Sequence, residues 1–307
     1  MAVWSTLWSL LAWGGLVLAL WRVWLDHRAL PVMPDRNLYR ALALCGLVVT
    51  WTFMLIMAAQ DMARYPGLAA WSAQSNLFFD AYRRVTETPA AWWWSSQLML
   101  WAPAAVLFFH AESIRQRLSY WAYVWVGMCV AISVALPLFL LRREAHGGNG
   151  KAPTASAWVA LCLSVAAAAT VMVPVVQGPE LQWCLLALHA GVLLALLPVA
   201  ARLSSTALLR LLYAAFAIAA TLCWWNINAE MWLHQAQPAS QLWNVVWSDP
   251  AQSSISLDLV LTVAICMFWA KKQGGGKAVL LFFVATTLLS LGSAFCIHQL
   301  WRLRKQA

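Results

Sequence analysis

Apolar stretches of about 20 residues recur along almost the whole chain, and this pattern constrains the fold more than any other feature. A bilayer offers backbone polar groups no water, so each stretch must satisfy them internally as an α-helix. The candidate spans are 5–25, 41–60, 92–111, 120–141, 157–175, 181–201, 208–229, 252–270 and 278–300. We therefore predict an all-α, polytopic integral membrane bundle of eight to nine transmembrane helices, forming a single domain over residues 1–307.

Composition excludes soluble enzymes and disulfide-stabilised secreted modules. The chain is 63% hydrophobic and 10% charged, whereas soluble domains are about half apolar and a quarter charged. Its net charge of +9 comes from Lys and Arg that stand between apolar runs, which indicates contact with anionic lipid headgroups rather than nucleic acid. The seven cysteines lie inside apolar runs and the six histidines lack ligand spacing, so we predict no metal site and no cofactor.

The order of the predicted loops leaves the membrane orientation open. Loops 142–156, 202–210 and 271–277 carry eight Lys or Arg, and loops 176–180 and 230–251 carry none. The first three should therefore be cytosolic, but nine crossings then put the basic C-terminus on the opposite side. The glycine-rich turn 145–153 is the most linker-like point, segment 61–91 has the composition of an interfacial re-entrant piece, and no internal repeat is apparent.

Acidic residues inside apolar helices are the strongest candidates for a site, because a carboxylate in hydrocarbon is costly. Asp258 lies about two turns inside its span and shares one helix face with Ser254 and Thr262. Glu112 follows His110 at the end of the third span, and Glu230 follows Asn226 on one face of its helix. For each acid the alternative is a structural role, as a buried helix contact, a headgroup-level residue or a surface ion pair.

Tryptophan is the other unusual component, with 22 residues in the chain. Many fit an interfacial belt, but Trp94 and Trp101 share a helix face with Gln97, and Trp225 forms with Trp224 a pair that is denser than anchoring requires. These residues predict an aromatic-lined chamber, since indole faces attract cations. We predict Asp258, Glu112 and Glu230 as catalytic residues, and as substrate-binding residues Gln97, Trp94, Trp101, Asn226, Trp225, His110 and Ser254.

A protonated acid in a dry chamber predicts a specific reaction. Burial favours the neutral carboxyl group, which is a general acid at neutral pH. Such an acid could protonate an epoxide or olefin of a hydrophobic substrate that enters from the bilayer. Aromatic faces would stabilise the carbocation, and exclusion of water would prevent its quenching.

Three stretches resemble the membrane-bound terpene cyclases of fungal meroterpenoid pathways, of the ascofuranone and macrophorin type. They are Thr88-Pro89-Ala90-Ala91-Trp92-Trp93-Trp94-Ser95-Ser96-Gln97-Leu98, His110-Ala111-Glu112-Ser113, and the run 248–258 that ends in Leu257-Asp258. The resemblance covers the third to the eighth span. It implies cyclisation of a prenylated, farnesylated aromatic substrate by carboxylic acids, and an endoplasmic-reticulum location in a eukaryotic host.

Two other functions remain open at this point. A sterol or lipid isomerase-like enzyme would use the same acid and Trp chamber. A non-enzymatic transporter or assembly protein would use the acids for flux or for complex formation. The sequence leaves the oligomeric state and the exact substrate undetermined.

Overall fold

The computed structural model describes residues 2–28, 30–147, 152–173, 179–197 and 204–305. Within these residues the chain is almost entirely helical. The glycines at 148 and 150 of the predicted linker, and the C-terminal ends of the predicted spans 157–175 and 181–201, lie outside the described residues. The elements are α1 (Ala2–Arg28), α2 (Arg36–Met62), α3 (Leu68–Gln74), α4 (Leu77–Arg84), α5 (Pro89–Gln116), α6 (Trp121–Cys129), α7 (Ile132–Ala145), β1 (Ala155–Ser156), α8 (Ala157–Met172), α9 (Pro179–Leu194), β2 (Ser204–Ser205), α10 (Thr206–His234), α11 (Pro238–Ser248), α12 (Pro250–Leu289) and α13 (Leu291–Lys305).

The all-α class is confirmed. Three of the described helices are long and apolar enough to cross a membrane, namely Arg36–Met62, Thr206–His234 and Pro250–Leu289. Helix α12 is two helical segments, 250–274 and 276–289, because Gly275 has a φ of 70° between them. A positive φ is readily adopted only by glycine.

The fold divides into two compact units, and each takes segments from both halves of the sequence. The first unit comprises Met1–Ala91, Tyr120–His146 and Ala239–Thr262. The second comprises Trp92–Ser119, Gly147–Pro238 and Val263–Ala307. That residues 1–307 act as a single domain stays a prediction.

In the first unit, α1 packs on α6, α2 packs on α7, and α6 and α7 pack on each other. The α2–α7 contact is very close at Gly46, where an added Cβ atom would lie 2.6 Å from the Ser133 Oγ atom. The buried aromatic residues Tyr39, Tyr123 and Phe139 fill this unit. The glycine is therefore needed for the two helices to pack closely.

In the second unit, α8 packs on α9, and α10 packs on both α13 and α8. Its core is aromatic, because the ring of Phe295 contacts Trp101, Phe108 and Trp269 at centroid distances of 5.3 to 5.9 Å. The short strands β1 and β2 pair antiparallel. Each strand leads into a serine cap, since the Ser156 and Ser205 hydroxyl groups accept hydrogen bonds from the first turns of α8 and α10.

The helix order indicates an internal repeat that the sequence analysis did not predict. A first repeat (36–145) and a second repeat (210–305) each contain a long helix, a helix that begins at proline, and a helical hairpin. Identical residues recur 174 positions apart in α2 and α10, at Arg36 and Arg210, Tyr39 and Tyr213, Trp51 and Trp225, and Met57 and Met231. Others recur 161 positions apart in α5 and α12, at Pro89 and Pro250, Ser95 and Ser256, and Leu98 and Leu259. The repeats are hard to see in sequence because most of their positions need only be apolar.

The third element of each repeat is a helical hairpin, in which Tyr123 contacts Phe139 and Phe282 contacts His298. Helices α6 and α7 are separated at residues 130–131, and segment 276–289 and α13 are separated at Ser290. The extended backbone of Ala131 and the positive φ of 116° at Ser290 produce the two breaks. Ser133 and Ser293 follow the breaks, and Arg142 and Arg302 lie near the ends of α7 and α13, each pair 160 residues apart.

Candidate functional site

Asp258 caps the start of α7, at the helix break of the first unit. Its Oδ1 atom accepts a hydrogen bond from the Ser133 backbone N–H at 2.9 Å, and its Oδ2 atom accepts one from the Ile132 N–H at 3.3 Å. These are the first two residues of α7, whose N–H groups have no partner within their own helix. The carboxyl group therefore acts as the cap of α7, although it comes from a distant part of the sequence.

Gln97 closes the helix break of the second unit in the same way. Its Oε1 atom accepts a hydrogen bond from the Leu291 backbone N–H at 2.7 Å, at the first residue of α13. The Ser290 hydroxyl group also caps this helix, accepting from the Ser293 N–H at 3.1 Å. Both Gln97 and Ser290 are buried. Two different acceptors thus satisfy the start of α13.

The two capping residues occupy equivalent positions in the repeats, and each caps the helix break of the other repeat. Gln97 and Asp258 are 161 positions apart, as are the prolines that begin their helices. The break in the first repeat is capped by Asp258 of the second, and the break in the second repeat is capped by Gln97 of the first. The equivalent positions differ in one chemical respect, because the carboxyl group can titrate and the amide cannot.

The polar face around Asp258 is buried as a whole. Ser254 donates a hydrogen bond to the Thr50 carbonyl oxygen at 3.1 Å. Thr262 is fully buried, and its Oγ1 atom has no hydrogen-bond partner among the described residues. Ser254 and Asp258 therefore form hydrogen bonds within their unit. Thr262, on the same helix face, has a buried hydroxyl group with no partner among the described residues.

Glu112 belongs to a different cluster, in the second unit. Its Oε1 atom accepts a hydrogen bond from Arg302 Nη2 at 3.0 Å, and its Oε2 atom lies 2.8 Å from Arg115 Nη2. Glu112 and Arg302 are both buried. Gln97 and Glu112 are 15 residues apart on α5, which is about 22 Å along an α-helix. They do not form one cluster.

The remaining predicted residues have separate environments. Glu230 is exposed and accepts from Gln235 at 3.3 Å. Asn226 is exposed, and Trp225 is 54% exposed with its indole N–H bonded to the Leu288 carbonyl oxygen. His110 is half-buried on α5. Glu230 and Asn226 do share a helix face, but that face is not buried.

The predicted Trp residues pack against other rings rather than line an open chamber. Trp101 is buried and contacts Phe295 edge-on at 5.3 Å. Trp94 is half-buried and contacts Trp93 edge-on at 5.1 Å. Such contacts are typical of an aromatic core.

A second cluster of buried charges, in the first unit, was missed by sequence reasoning. Asp26 forms ion pairs with Arg142 and with Arg22, the latter at 3.0 Å. Beside it, His27 contacts the Tyr123 hydroxyl group at 3.2 Å. Burial, together with the positive charges of Arg142 and Arg40, lowers the pKa of His27 from 6.5 to about 4. His27 lies beyond the predicted span 5–25.

The repeat marks the tyrosine and the arginine that pair with acids, but not the acids themselves. Tyr39 donates a hydrogen bond of 2.5 Å to Glu144 in the first unit, and its equivalent Tyr213 lines a pocket with Glu112 in the second. Arg142 and Arg302 are likewise equivalent, and each pairs with a buried acid. The Tyr and the Arg recur in the sequence, but their acidic partners do not, so no spacing rule reveals the pairs.

Residues 38–145 match the family described as "Protein of unknown function DUF2834". This segment coincides with the first repeat. No curated protein and no solved structure matches the chain.

Proposed function

We propose that the chain is a polytopic membrane transporter with seven crossings. Two would be formed by the first repeat, two by the second, and the others by α1, α8 and α9. In each repeat the crossings would be the long helix and the helix that begins at proline, and the helical hairpin would enter and leave the membrane on the same side. Internal repeats with interrupted helices at matching positions are a recurring design of secondary transporters.

The proposed count gives the repeats the same orientation. Four crossings, those of α2, α5, α8 and α9, separate the start of α2 from the start of α10, and an even number preserves the direction of entry. Each hairpin ends beside the start of its long helix, as the contacts of Tyr39 with Glu144 and of Arg210 with Leu303 show. The basic C-terminus would then lie on the same side as the three basic loops, which agrees with the charge rule.

The observation that carries the proposal is the pair of exchanged caps. The N–H groups at the start of a helix within a membrane bind acceptor groups or anions. In the first unit the titratable carboxyl group of Asp258 accepts hydrogen bonds from these N–H groups. In the second unit the neutral amide of Gln97 accepts one. Only the first break can therefore be linked to a proton.

This asymmetry supports symport of a small anion with a proton. When Asp258 takes up a proton, one of its oxygen atoms becomes an O–H donor and gives up its place as acceptor. An N–H group of α7 is then available to the carboxylate of a solute. Charge balances, because the solute brings one negative charge and the proton one positive charge. Deprotonation of Asp258 on the other side would restore the cap and expel the solute.

Proteoliposomes with a trapped pH indicator test the proposal. Gluconate at neutral pH is a suitable first probe, because it carries one negative charge and its hydroxyl groups keep it from crossing a bare bilayer. We expect it to acidify vesicles that contain the protein. Asp258→Asn should reduce coupled acidification by about tenfold or more, since an amide cannot carry the proton. Val260→Ala is the matched control, because Val260 is on the same helix and 51% exposed.

Topology reporters provide a test that needs no substrate. Reporters fused after residue 146 and after the C-terminus should lie on the same side of the membrane. Placement on opposite sides would contradict the seven crossings. Acidification by Asp258→Asn at the rate of the unmodified protein would contradict the proton link.

Terpene cyclisation of a prenylated substrate stays a hypothesis that is supported by the resemblance and by the burial of Asp258. The endoplasmic-reticulum location has the same support from the resemblance alone. The geometry favours the cyclase less, because both Asp258 oxygen atoms are engaged as acceptors. Incubation of the purified protein with a farnesylated phenol and its epoxide would show cyclised product if the hypothesis holds.

A further inference from the structure

The second unit contains a small pocket where α5 and α13 end and α10 begins. Its free volume is about 10 Å³, which is room for one oxygen atom of a ligand. Its polar lining comes from Glu112, Tyr213, Gln299 and Arg302, and its apolar lining from Ala111, Pro153, Leu209 and Leu303. A pocket with one charged wall and one apolar wall fits the head of an amphiphile better than a fully apolar guest.

Gln299 determines which chemical group the pocket can accept. Its Oε1 atom accepts a hydrogen bond from Arg302 Nη1 at 2.8 Å. Its Nε2 atom is buried and has no hydrogen-bond partner among the described residues. The side chain is only 3% exposed. A buried donor of this kind is costly unless an acceptor binds it, so the missing partner is an acceptor.

The charge of the pocket also favours an anion. Glu112 is balanced twice, by Arg302 at 3.0 Å and by Arg115 at 2.8 Å. Two guanidinium groups and one carboxylate leave one net positive charge. The Arg302 guanidinium lies 4.9 Å from the centroid of the Trp269 ring and is held in a fixed place. Fixed guanidinium groups are well suited to phosphate.

We propose that this pocket admits one oxygen atom of a phosphate group that binds at its mouth, with Gln299 Nε2 as a hydrogen-bond donor and Arg302 as the charge partner. The apolar wall points to the phosphate of an anionic lipid headgroup. Exposed Arg304 and Lys305 follow in the same helix and extend the basic surface. Basic pockets at the ends of membrane helices bind anionic headgroups in this manner. The site does not depend on the transport proposal.

Lipid binding to the full-length protein in detergent tests this site. Native mass spectrometry would compare phosphatidylglycerol with phosphatidylcholine, and calorimetry would use inorganic phosphate. We expect the protein to bind phosphatidylglycerol about tenfold more tightly than phosphatidylcholine. A difference of this size is the contribution of one hydrogen bond to a charged group. Gln299→Glu keeps the acceptor for Arg302 but removes the donor, so it should weaken this binding by about tenfold.

Gln273→Glu is the matched control, because it makes the same change in the same unit outside the pocket. It should bind within about twofold of the unmodified protein. If Gln299→Glu does not fold, Gln299→Met removes the same donor without adding charge. Inorganic phosphate that binds and is lost in the same variant would identify a soluble ligand for the site. Equal affinity for the two lipids, or unchanged binding by the folded Gln299 variant, would overturn the assignment.

Discussion

Replacement of Asp258 by alanine tests the cap at the start of α7 directly. The substitution leaves two backbone N–H groups, of Ile132 and Ser133, without their acceptor. The Ser133 bond is the better of the two, at 2.9 Å against 3.3 Å. A buried donor left without a partner costs about 1–3 kcal/mol. We therefore expect the free energy of unfolding to fall by about 3 kcal/mol in total.

Asparagine at the same position should cost less. Its amide has one oxygen atom that can still accept from Ser133, but its NH₂ group faces the Ile132 N–H. The expected loss is about 1–2 kcal/mol. The difference between the two variants separates a cap from a generally sensitive site, because both remove the same charge.

Unfolding by SDS titration in mixed micelles would measure these changes. Val260→Ala on the same helix is the reference and should change the free energy of unfolding by less than about 0.5 kcal/mol, because the side chain is exposed. An Asp258→Ala variant as stable as this reference would refute the capping argument. Equal losses for Asp258→Ala and Asp258→Asn would also refute it.

Three further predictions concern packing, charge and pH. Gly46→Ala should destabilise the protein by about 1–3 kcal/mol, because its Cβ atom would meet Ser133 Oγ at 2.6 Å. Glu112→Gln should cost about 3–5 kcal/mol, because it removes the acid that pairs with buried Arg302. Because His27 is neutral in the folded protein, the free energy of unfolding should fall by up to about 3 kcal/mol as the pH decreases from 6.5 towards 4. In this range the unfolded chain binds a proton at His27 and the folded chain does not.

Each of these predictions has a control within the chain. Gly14→Ala has open space around its Cβ atom, so thermal unfolding should separate it clearly from Gly46→Ala. For Glu112, a further Arg302→Met change should recover part of the loss, and no recovery would contradict the pairing. For His27, a glutamine variant should show a flatter dependence of stability on pH between 4 and 6.5. An unchanged slope would show that another group causes the pH dependence.

The repeats show where sequence reasoning succeeded and where it failed. It identified Gln97 and Asp258 as the polar residues that need partners inside an apolar helix, and both are buried and bonded to backbone N–H groups. It did not identify those partners. A backbone N–H group at a helix break has no side-chain signature, so no residue type marks Ile132 or Leu291 as a donor.

The contacts of the aromatic residues were not evident from the sequence for a related reason. Trp101 is predicted to line a chamber, and in the structure its ring packs on Phe295. Helical spacing shows which residues share a face, but it does not show whether that face meets a cavity or another ring. Glu230 and Asn226 share a face as predicted, and that face is exposed.

Sequence by itself determined the helical class and the apolar character of this protein, because backbone groups in a long apolar stretch can be satisfied only by a helix. Asp258 and Glu112 were also evident as candidates, since a charge at an apolar stretch stands out, whereas Asp26 was not identified. Tertiary structure alone decided what those acids contact. Asp258 meets α7 and Glu112 meets Arg302 only because separate helices pack together, and such pairing depends on distance in space rather than on spacing along the chain.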